Sequence, residues 1–303
     1  AYFLVRSLDS QKQLLTDTTS SNMEAVRLTK NQYEVGVKAR QDLINAGAQY
    51  RSVQAQLIDV GVNRAAQENL IAVLIGKSPS EFSVAFNPLP ARSNLMVPVV
   101  PPGLPSDLLE RRPDVAAAER RMAVANAQIG YQKAAYFPSL TLNSNQNNFG
   151  FLGPSFSQLL TTPFLYWGIG PSIALTVLDF GARAAKVEEA RGVYDENVAS
   201  YRQAVLTAMQ EVETQLAALR IYEEEAGIQD EAAELAERGV VIALNRYQAG
   251  IDNYTNVVVA KNSALSNQQK SILIAQQRLN ASVLLIKALG GSWQRQLKAS
   301  DKN

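Results

Sequence analysis

The chain has 303 residues and a formal net charge of +1 at pH 7, so it lacks the basic surplus that marks nucleic-acid binding. It contains no cysteine and no histidine, which excludes a disulfide framework and a conventional zinc site and removes the commonest general base. No run of about 20 apolar residues is present, so no transmembrane helix is encoded. The chain starts in mid-pattern at Ala1 without a signal peptide, and we expect an upstream part to precede it.

The first quarter of the chain predicts two helices separated by a glycine. Residues 1–34 contain no proline and predict one helix, which Gly36 ends. A second helix is predicted over residues 37–75, with Gly76 at its end. Residues 77–105 then contain seven prolines and predict an irregular segment. This segment is either a domain linker or a loop packed on the outside of a helical body.

The middle of the chain predicts a helix followed by a β-hairpin. The helix begins near Ser106 or Pro113, because proline is favoured at the first helical position, and it runs to about Tyr136. Strand-like runs follow at residues 137–147 and 164–177. In the second run small or polar residues alternate with apolar ones, which are Leu165, Trp167, Ile169, Ile173, Leu175 and Val177. Such strands are typical of a membrane β-barrel, and an amphipathic hairpin on a soluble core is the alternative.

The last part of the chain predicts two more helices. Residues 181–249 have apolar positions at steps of three and four, which indicates one long helix with a coiled-coil-like seam. Gly250 ends this helix, and the final helix is predicted over residues 251–289.

The sequence also contains an internal repeat. A shift of 214 residues, the separation of Gly36 and Gly250, brings twelve identical residues into register from Arg6 to Gly76. The pattern Asn-x-Tyr-x-x-Gly occurs at both turns. We therefore infer a duplication, of which this chain holds one complete repeat and the back half of another.

No motif for enzymatic chemistry is present. The sequence has no Gly-x-Ser-x-Gly, no phosphate-binding glycine loop and no cluster of metal ligands. The acidic run at residues 223–225 does not form a catalytic pair, because consecutive helical side chains point in different directions. We expect neither an enzyme nor a cofactor.

Several motifs resemble one protein family in order and content. They are Leu108–Val115 (LLERRPDV), Ala118–Arg121 (AERR), Tyr136–Leu140 (YFPSL), Leu178–Gly181 (LDFG), Arg246–Gly250 (RYQAG) and Ala288–Gly291 followed by Trp293. With them the chain resembles the TolC-type outer-membrane factors, and within these the OprM- and NodT-like lipoprotein branch. The resemblance covers nearly the whole chain at the level of layout.

The resemblance implies a mainly α fold, in which long antiparallel coiled-coil-like helices form a periplasmic tunnel and one β-hairpin contributes to a trimeric outer-membrane β-barrel. The implied divisions are helical tunnel at 1–76, 106–136 and 181–303, an irregular waist at 77–105, and the hairpin at 137–180. With one hairpin per chain a trimer has six strands instead of twelve, so we expect a pore only from a form extended upstream.

The resemblance also implies function. The protein is expected in the outer membrane, with its helices in the periplasm, as a passive exit duct for drugs or other small molecules and hence a determinant of antibiotic resistance. Its expected partners are two further copies, a periplasmic adaptor and an inner-membrane pump, with no nucleic acid. Metal efflux and protein secretion by the same type of duct remain open, as does a soluble, extended coiled-coil structural or adaptor protein.

Finally, the resemblance places the functional residues at the two glycine turns. The expected entrance acids are Asp42 and Asp252. The expected adaptor-contacting residues are Tyr33, Val35, Gly36, Val37, Tyr247, Ala249, Gly250 and Ile251.

Overall fold

The structure is a computed structural model that describes residues 1–89, 112–144 and 169–291. Its helices are α1 (Tyr2–Glu34), α2 (Arg40–Leu74), α3 (Pro113–Ala134), α4 (Ala182–Gln248) and α5 (Tyr254–Ala288), with a short 3-10 helix at Pro79–Glu81. Two antiparallel strands, β1 (Ser139–Ser144) and β2 (Ile169–Ala174), form the sheet. The prediction of a mainly helical chain with one hairpin is confirmed. Within these ranges, no helix is both long and apolar enough to cross a bilayer.

The observed helix bounds agree with the sequence patterns to within a few residues. Proline occupies the first position of α3, where its missing N–H costs no hydrogen bond. The predicted irregular segment contains only the 3-10 turn as far as residue 89, and residues 90–105 lie outside the described part. Leu165 and Trp167, which belong to the predicted second strand, also lie outside it.

The duplication is visible in the helix ends. Adding 214 to the bounds of α2 gives the bounds of α5, and adding it to Glu34 gives Gln248, the end of α4. The glycines behind these ends, Gly36 and Gly250, have φ of 75° and 72°. Because the helix ends repeat in register, the structure supports one ancestral helix pair used twice.

The hairpin has one exposed apolar face. Leu140 pairs with Ile173, and Leu142 pairs with Pro171. The side chains of Leu140, Leu142 and Ile173 are all largely exposed. Alternate strand residues share a face, so the predicted apolar parity holds for these residues.

The chain divides into two compact units, one formed by Pro105–Met209 and the other by Ala1–Leu104 with Gln210–Asn303. In the latter, α1, α2 and α5 share a core whose buried residues are Leu8, Leu15, Val53, Val60 and Leu265. In the former, Val115, Ala118 and Ala125 of α3 are buried, as are Val187 and Ala190 of α4.

A buried ion network binds the stretch after the 3-10 turn to α1 and α2. Asp9 is fully buried and accepts hydrogen bonds from Arg6 at 3.2 Å and from Arg64 at 2.7 Å. The same two arginines donate to backbone carbonyls of the stretch: Arg6 to Ala85 at 2.6 Å and Arg64 to Val84 at 2.7 Å. Buried charges need partners of this kind, so the network fixes the path of residues 84–87.

Glu68 completes this network from α2. It pairs with Arg64 at 2.9 Å and accepts the backbone N–H of Val84. The hydrogen bond from Val84 is the largest of the effects that hold the pKa of Glu68 below its usual value. Asp9 also accepts the N–H of Asn87 at 3.0 Å. Both acids thus bind the irregular segment through its backbone, and the hydroxyl of Ser83 adds a side-chain hydrogen bond to Glu68.

Candidate functional site at the paired helical turns

The two turns close with the same hydrogen bonds. After α1, Gly36 N–H donates to Tyr33 O and Val37 N–H donates to Gln32 O, both at 2.9 Å. After α4, the matching bonds run from Gly250 to Tyr247 and from Ile251 to Arg246, both at 3.0 Å. This is the Schellman pattern, in which a left-handed residue satisfies the last helical carbonyls.

The apolar residues beside both glycines face solvent. Val35, Val37 and Ile251 are each about two-thirds exposed or more, and Ala249 is exposed as well. Solvent-facing apolar side chains on a rigid turn offer contact area to a partner at little entropic cost. Of the expected adaptor-contacting residues, those at the glycine turns themselves are therefore accessible.

The two tyrosines at equivalent positions differ in burial. Tyr33 is 40% exposed, whereas Tyr247 is 5% exposed. The ring of Tyr247 packs edge-on against Tyr254, with 5.2 Å between ring centroids, and Ala46 and Val257 belong to the same buried cluster. Tyr247 therefore packs the inside of the turn region and offers no outward surface in this chain.

Lys38 links the two turns, and the sequence analysis did not identify it. Its ammonium nitrogen lies 3.1 Å from the carbonyl oxygen of Tyr247 and 4.0 Å from the centroid of the Tyr247 ring. It thus gives the Tyr247 carbonyl a second hydrogen bond, beside the one from Gly250, and adds a cation–π contact. The sequence held a signal for Lys38, because the repeat aligns it with Asp252. The two turns therefore carry opposite charges at this position.

Asp42 is buried in the first turn of α2, where a carboxylate suits the positive end of the helix dipole. It lies close enough to Tyr247 and Tyr254 for its charge to act on both hydroxyls. Burial is the main cause that raises the pKa of each tyrosine, and the Asp42 charge adds to it. The buried Tyr247 hydroxyl makes no hydrogen bond of good geometry among the described residues.

Asp252 has a different environment. Its carboxylate lies 2.6 Å from Nε of Arg246 in a partly exposed ion pair. The hydrogen bond from Arg246 is the main cause that holds the pKa of Asp252 below its usual value. The repeat aligns Asp42 with Asn256 and Asp252 with Lys38, so the two acids occupy different positions in the two helix pairs. Asp252 pairs with Arg246, whereas the charge of Asp42 acts on the two tyrosines.

The tyrosine cluster predicts a loss of stability at alkaline pH. The pKa of Tyr254 is raised from 10.0 to about 12, so the folded state disfavours the phenolate. Between these two values the unfolded chain ionises and the folded chain does not, which lowers stability by about 2–3 kcal/mol as the pH rises. Below pH 10 both states are neutral and the effect vanishes.

We expect Tyr254→Phe to flatten this alkaline decline, measured as the free energy of unfolding against pH. Tyr131→Phe, at an exposed tyrosine of α3, is the matched control and should leave the decline unchanged. Equal slopes for Tyr254→Phe and the parent would show that Tyr254 is not protected from ionisation.

Comparison with known proteins gives a consistent assignment. The family model described as outer membrane efflux protein matches residues 1–77 and 104–291. The toluene efflux pump outer membrane protein TtgC of Pseudomonas putida is 32% identical over 297 residues, which are 98% of this chain and 60% of TtgC. The pyoverdine export outer membrane protein OpmQ of Pseudomonas aeruginosa is 28% identical over 296 residues, or 97% of this chain and 60% of OpmQ.

Among solved structures, the outer-membrane channel OprN superposes with a TM-score of 0.84 at 27% identity. The match covers 97% of this chain and 65% of that one. The chain thus spans about 60% of the length of the curated relatives that it matches.

Proposed function

The chain belongs to the outer membrane efflux protein family, and from this premise we propose that it is a subunit of an outer-membrane duct that discharges the cargo of a tripartite efflux pump. The duct is passive and performs no enzymatic chemistry. Its partners are two further copies of the chain, a periplasmic adaptor and an inner-membrane pump. The family assignment argues against the alternative of a soluble coiled-coil structural protein.

The duplicated helix pair with its matched turns carries this proposal. In it, residues 1–76, 106–136 and 181–303 build the periplasmic helical tunnel, 77–105 the waist and 137–180 the barrel hairpin. Helix α4, with 67 residues, is long enough for such a tunnel, at about 100 Å for an axial rise of 1.5 Å per residue. The exposed apolar face of the hairpin suits a lipid environment.

The proposed cargo is small organic molecules. Relatives that match nearly the whole of this chain are named for toluene efflux and for pyoverdine export. These names favour small organic compounds over metal ions or secreted proteins. Efflux of antibiotics, and hence resistance, belongs to the same cargo class.

The glycine turns are the proposed docking tip for the adaptor. Their exposed residues Val35, Val37, Ala249 and Ile251 supply the apolar contacts, and Tyr33 lies beside them. Tyr247 acts from inside by holding the turn region together. At the entrance, Asp252 sets the local charge together with its partner Arg246. The buried Asp42 contributes through its charge on the tyrosine cluster.

The test is single-channel recording on the full-length protein, extracted from outer membranes with detergent. We expect the parent to conduct. Asp252→Asn leaves the charge of Arg246 uncompensated, so its preference for cations should fall. Arg246→Gln removes the positive partner, so its preference for cations should rise.

Glu224→Gln is the matched control, because Glu224 is an exposed acid on α4 distant in sequence from the turn. It should conduct like the parent. Absence of any conductance from the parent would refute the duct itself. A conducting parent whose Asp252 and Arg246 variants share its ion selectivity would refute only the assignment of the entrance.

A further inference from the structure

The junction between β2 and α4 contains a strained aromatic residue. Phe180 has φ of 49° and is the one non-glycine residue with positive φ among the described residues. A side chain disfavours this left-handed conformation, which glycine and asparagine adopt most readily. The ring is nevertheless 100% exposed, so no packing among the described residues offsets the strain.

Hydrogen bonds between Asp179 and the residues after Phe180 fix the backbone of this turn. Asp179 accepts hydrogen bonds from the N–H groups of Gly181 at 3.3 Å and Arg183 at 3.0 Å, and so caps the start of α4. The Asp179 carboxylate also pairs with Nε of Arg183 at 2.6 Å. Phe180 therefore projects from a fixed turn.

Arg183 extends this support to the other side of the hairpin. Its guanidinium donates to Thr176 O after β2 at 2.7 Å and to Ala135 O after α3 at 3.3 Å. It also lies 5.2 Å from the centroid of the Tyr136 ring. Arg183 thus connects the segment between α3 and β1 to the segment between β2 and α4. Phe180 lies in the second of these segments.

The exposed apolar surface of the strands continues to the residues at the junction between strand and helix. Phe137, Val177 and Leu178 flank the junction with more than two-thirds of each side chain exposed. Phe137 lies just before the exposed strand residue Leu140, and Val177 and Leu178 come after the exposed Ile173. A soluble surface rarely exposes so many large apolar residues together. In membrane barrels, aromatic residues flank the apolar band at each interface with water.

We propose that Phe180, with Phe137 and Leu178, anchors the chain in the phospholipid of the periplasmic leaflet and sets the depth at which the hairpin inserts. The inference rests on the proposed function, which places the hairpin in the outer membrane and the helices in the periplasm. The junction between strand and helix then lies at the periplasmic interface. The strain at Phe180 is retained because the turn aims the ring at lipid.

Phe180→Asn separates an anchor from a structural role, because asparagine tolerates the left-handed turn but has no ring. The test uses the full-length protein with vesicles of phosphatidylethanolamine and phosphatidylglycerol. We expect the variant to unfold in detergent at the same temperature as the parent or higher, and its partitioning into vesicles to fall about tenfold. Leu206→Asn, at an exposed leucine of α4, is the control and should partition like the parent.

Phe180→Trp measures the depth directly. The background carries Trp167→Phe and Trp293→Phe. In it, lipids brominated on the acyl chain near the headgroup should quench the indole fluorescence more than lipids brominated near the terminal methyl group. Quenching only by the deeper bromines, or by neither, would overturn the proposed position.

The outcomes distinguish the anchor from the duct. If the parent fails to float with vesicles, the proposed function fails. If the parent and Phe180→Asn float equally, the anchor fails while the duct stands. If Phe180→Asn loses crosslinked oligomers but not vesicle binding, the ring contacts a second copy and the lipid assignment is wrong.

Discussion

Replacing Gly250 with valine is expected to abolish efflux through the full-length protein while leaving it folded and assembled. Gly250 has φ of 72°, a conformation that a β-branched residue adopts only with strain of at least about 1–2 kcal/mol. A Cβ at this position meets no atom within 4 Å, so the strain is confined to the turn and does not reach the core. The turn must change its path, and Ala249 and Ile251 then leave the positions at which we propose that the adaptor docks. Gly36→Val should act in the same way.

Two variants separate backbone strain from added bulk. Gly250→Asn also adds a side chain, but asparagine tolerates the left-handed conformation, so efflux should persist. Gly227→Val adds the same side chain to a helical glycine of α4 that also has free space around it, and should behave like the parent. The measurements are dye accumulation in cells, the melting temperature and oligomer crosslinking. If Gly250→Val exports dye normally, the turn is not the docking tip.

The sequence was sufficient to predict these turns because their cause is local. A glycine after a long apolar-periodic stretch predicts a left-handed helix end, and the repeat gives the same prediction twice. The hairpin was predictable for the related reason that strand alternation is read from neighbouring residues. Leu140 and Ile173 share a face as the pattern requires.

The environments of the polar residues were not predictable in this way. Tyr33 and Tyr247 occupy equivalent positions in the repeat, yet only Tyr247 is buried, because Lys38 and Tyr254 lie against it. Asp42 was expected near the tunnel entrance, and nothing in the sequence indicated that its side chain is buried within this chain. Such differences depend on which helix packs against which, and a single helix pattern does not contain that information.

The ion network around Asp9 was missed for a similar reason. Its members are far apart in the sequence, and the waist contributes backbone groups whose residue type carries no signal. The repeat did hold a hint, because it aligns Arg6 and Arg64 with Arg220 and Arg278. In the second copy, however, Glu223 replaces Asp9 and is largely exposed. The repeat therefore preserves the cations but not the buried acid.

Asp9→Ala is accordingly expected to destabilise the protein by about 3–5 kcal/mol, the range observed when one partner of a buried ion pair is removed. The substitution leaves Arg6 and Arg64 buried without a carboxylate between them, and it removes the acceptor for the N–H of Asn87. Because the arginines also hold the carbonyls of Val84 and Ala85, the waist segment should detach before the helices unfold. Asp9→Asn should fall between the alanine variant and the parent, since the amide is neutral and its nitrogen cannot accept the hydrogen bond that one carboxylate oxygen accepted.

Glu223→Ala is the matched control, because it removes the equivalent acid of the second repeat. That acid lies 3.5 Å from Arg278 with 74% of its side chain exposed, and exposed ion pairs contribute about 0–1 kcal/mol. The measurements are urea unfolding in detergent and limited proteolysis near residue 85. We expect early cleavage there in Asp9→Ala alone. If both variants lose the same small stability and resist the protease alike, Asp9 does not hold the waist, and the backbone of residues 84–87 must be bound by other contacts.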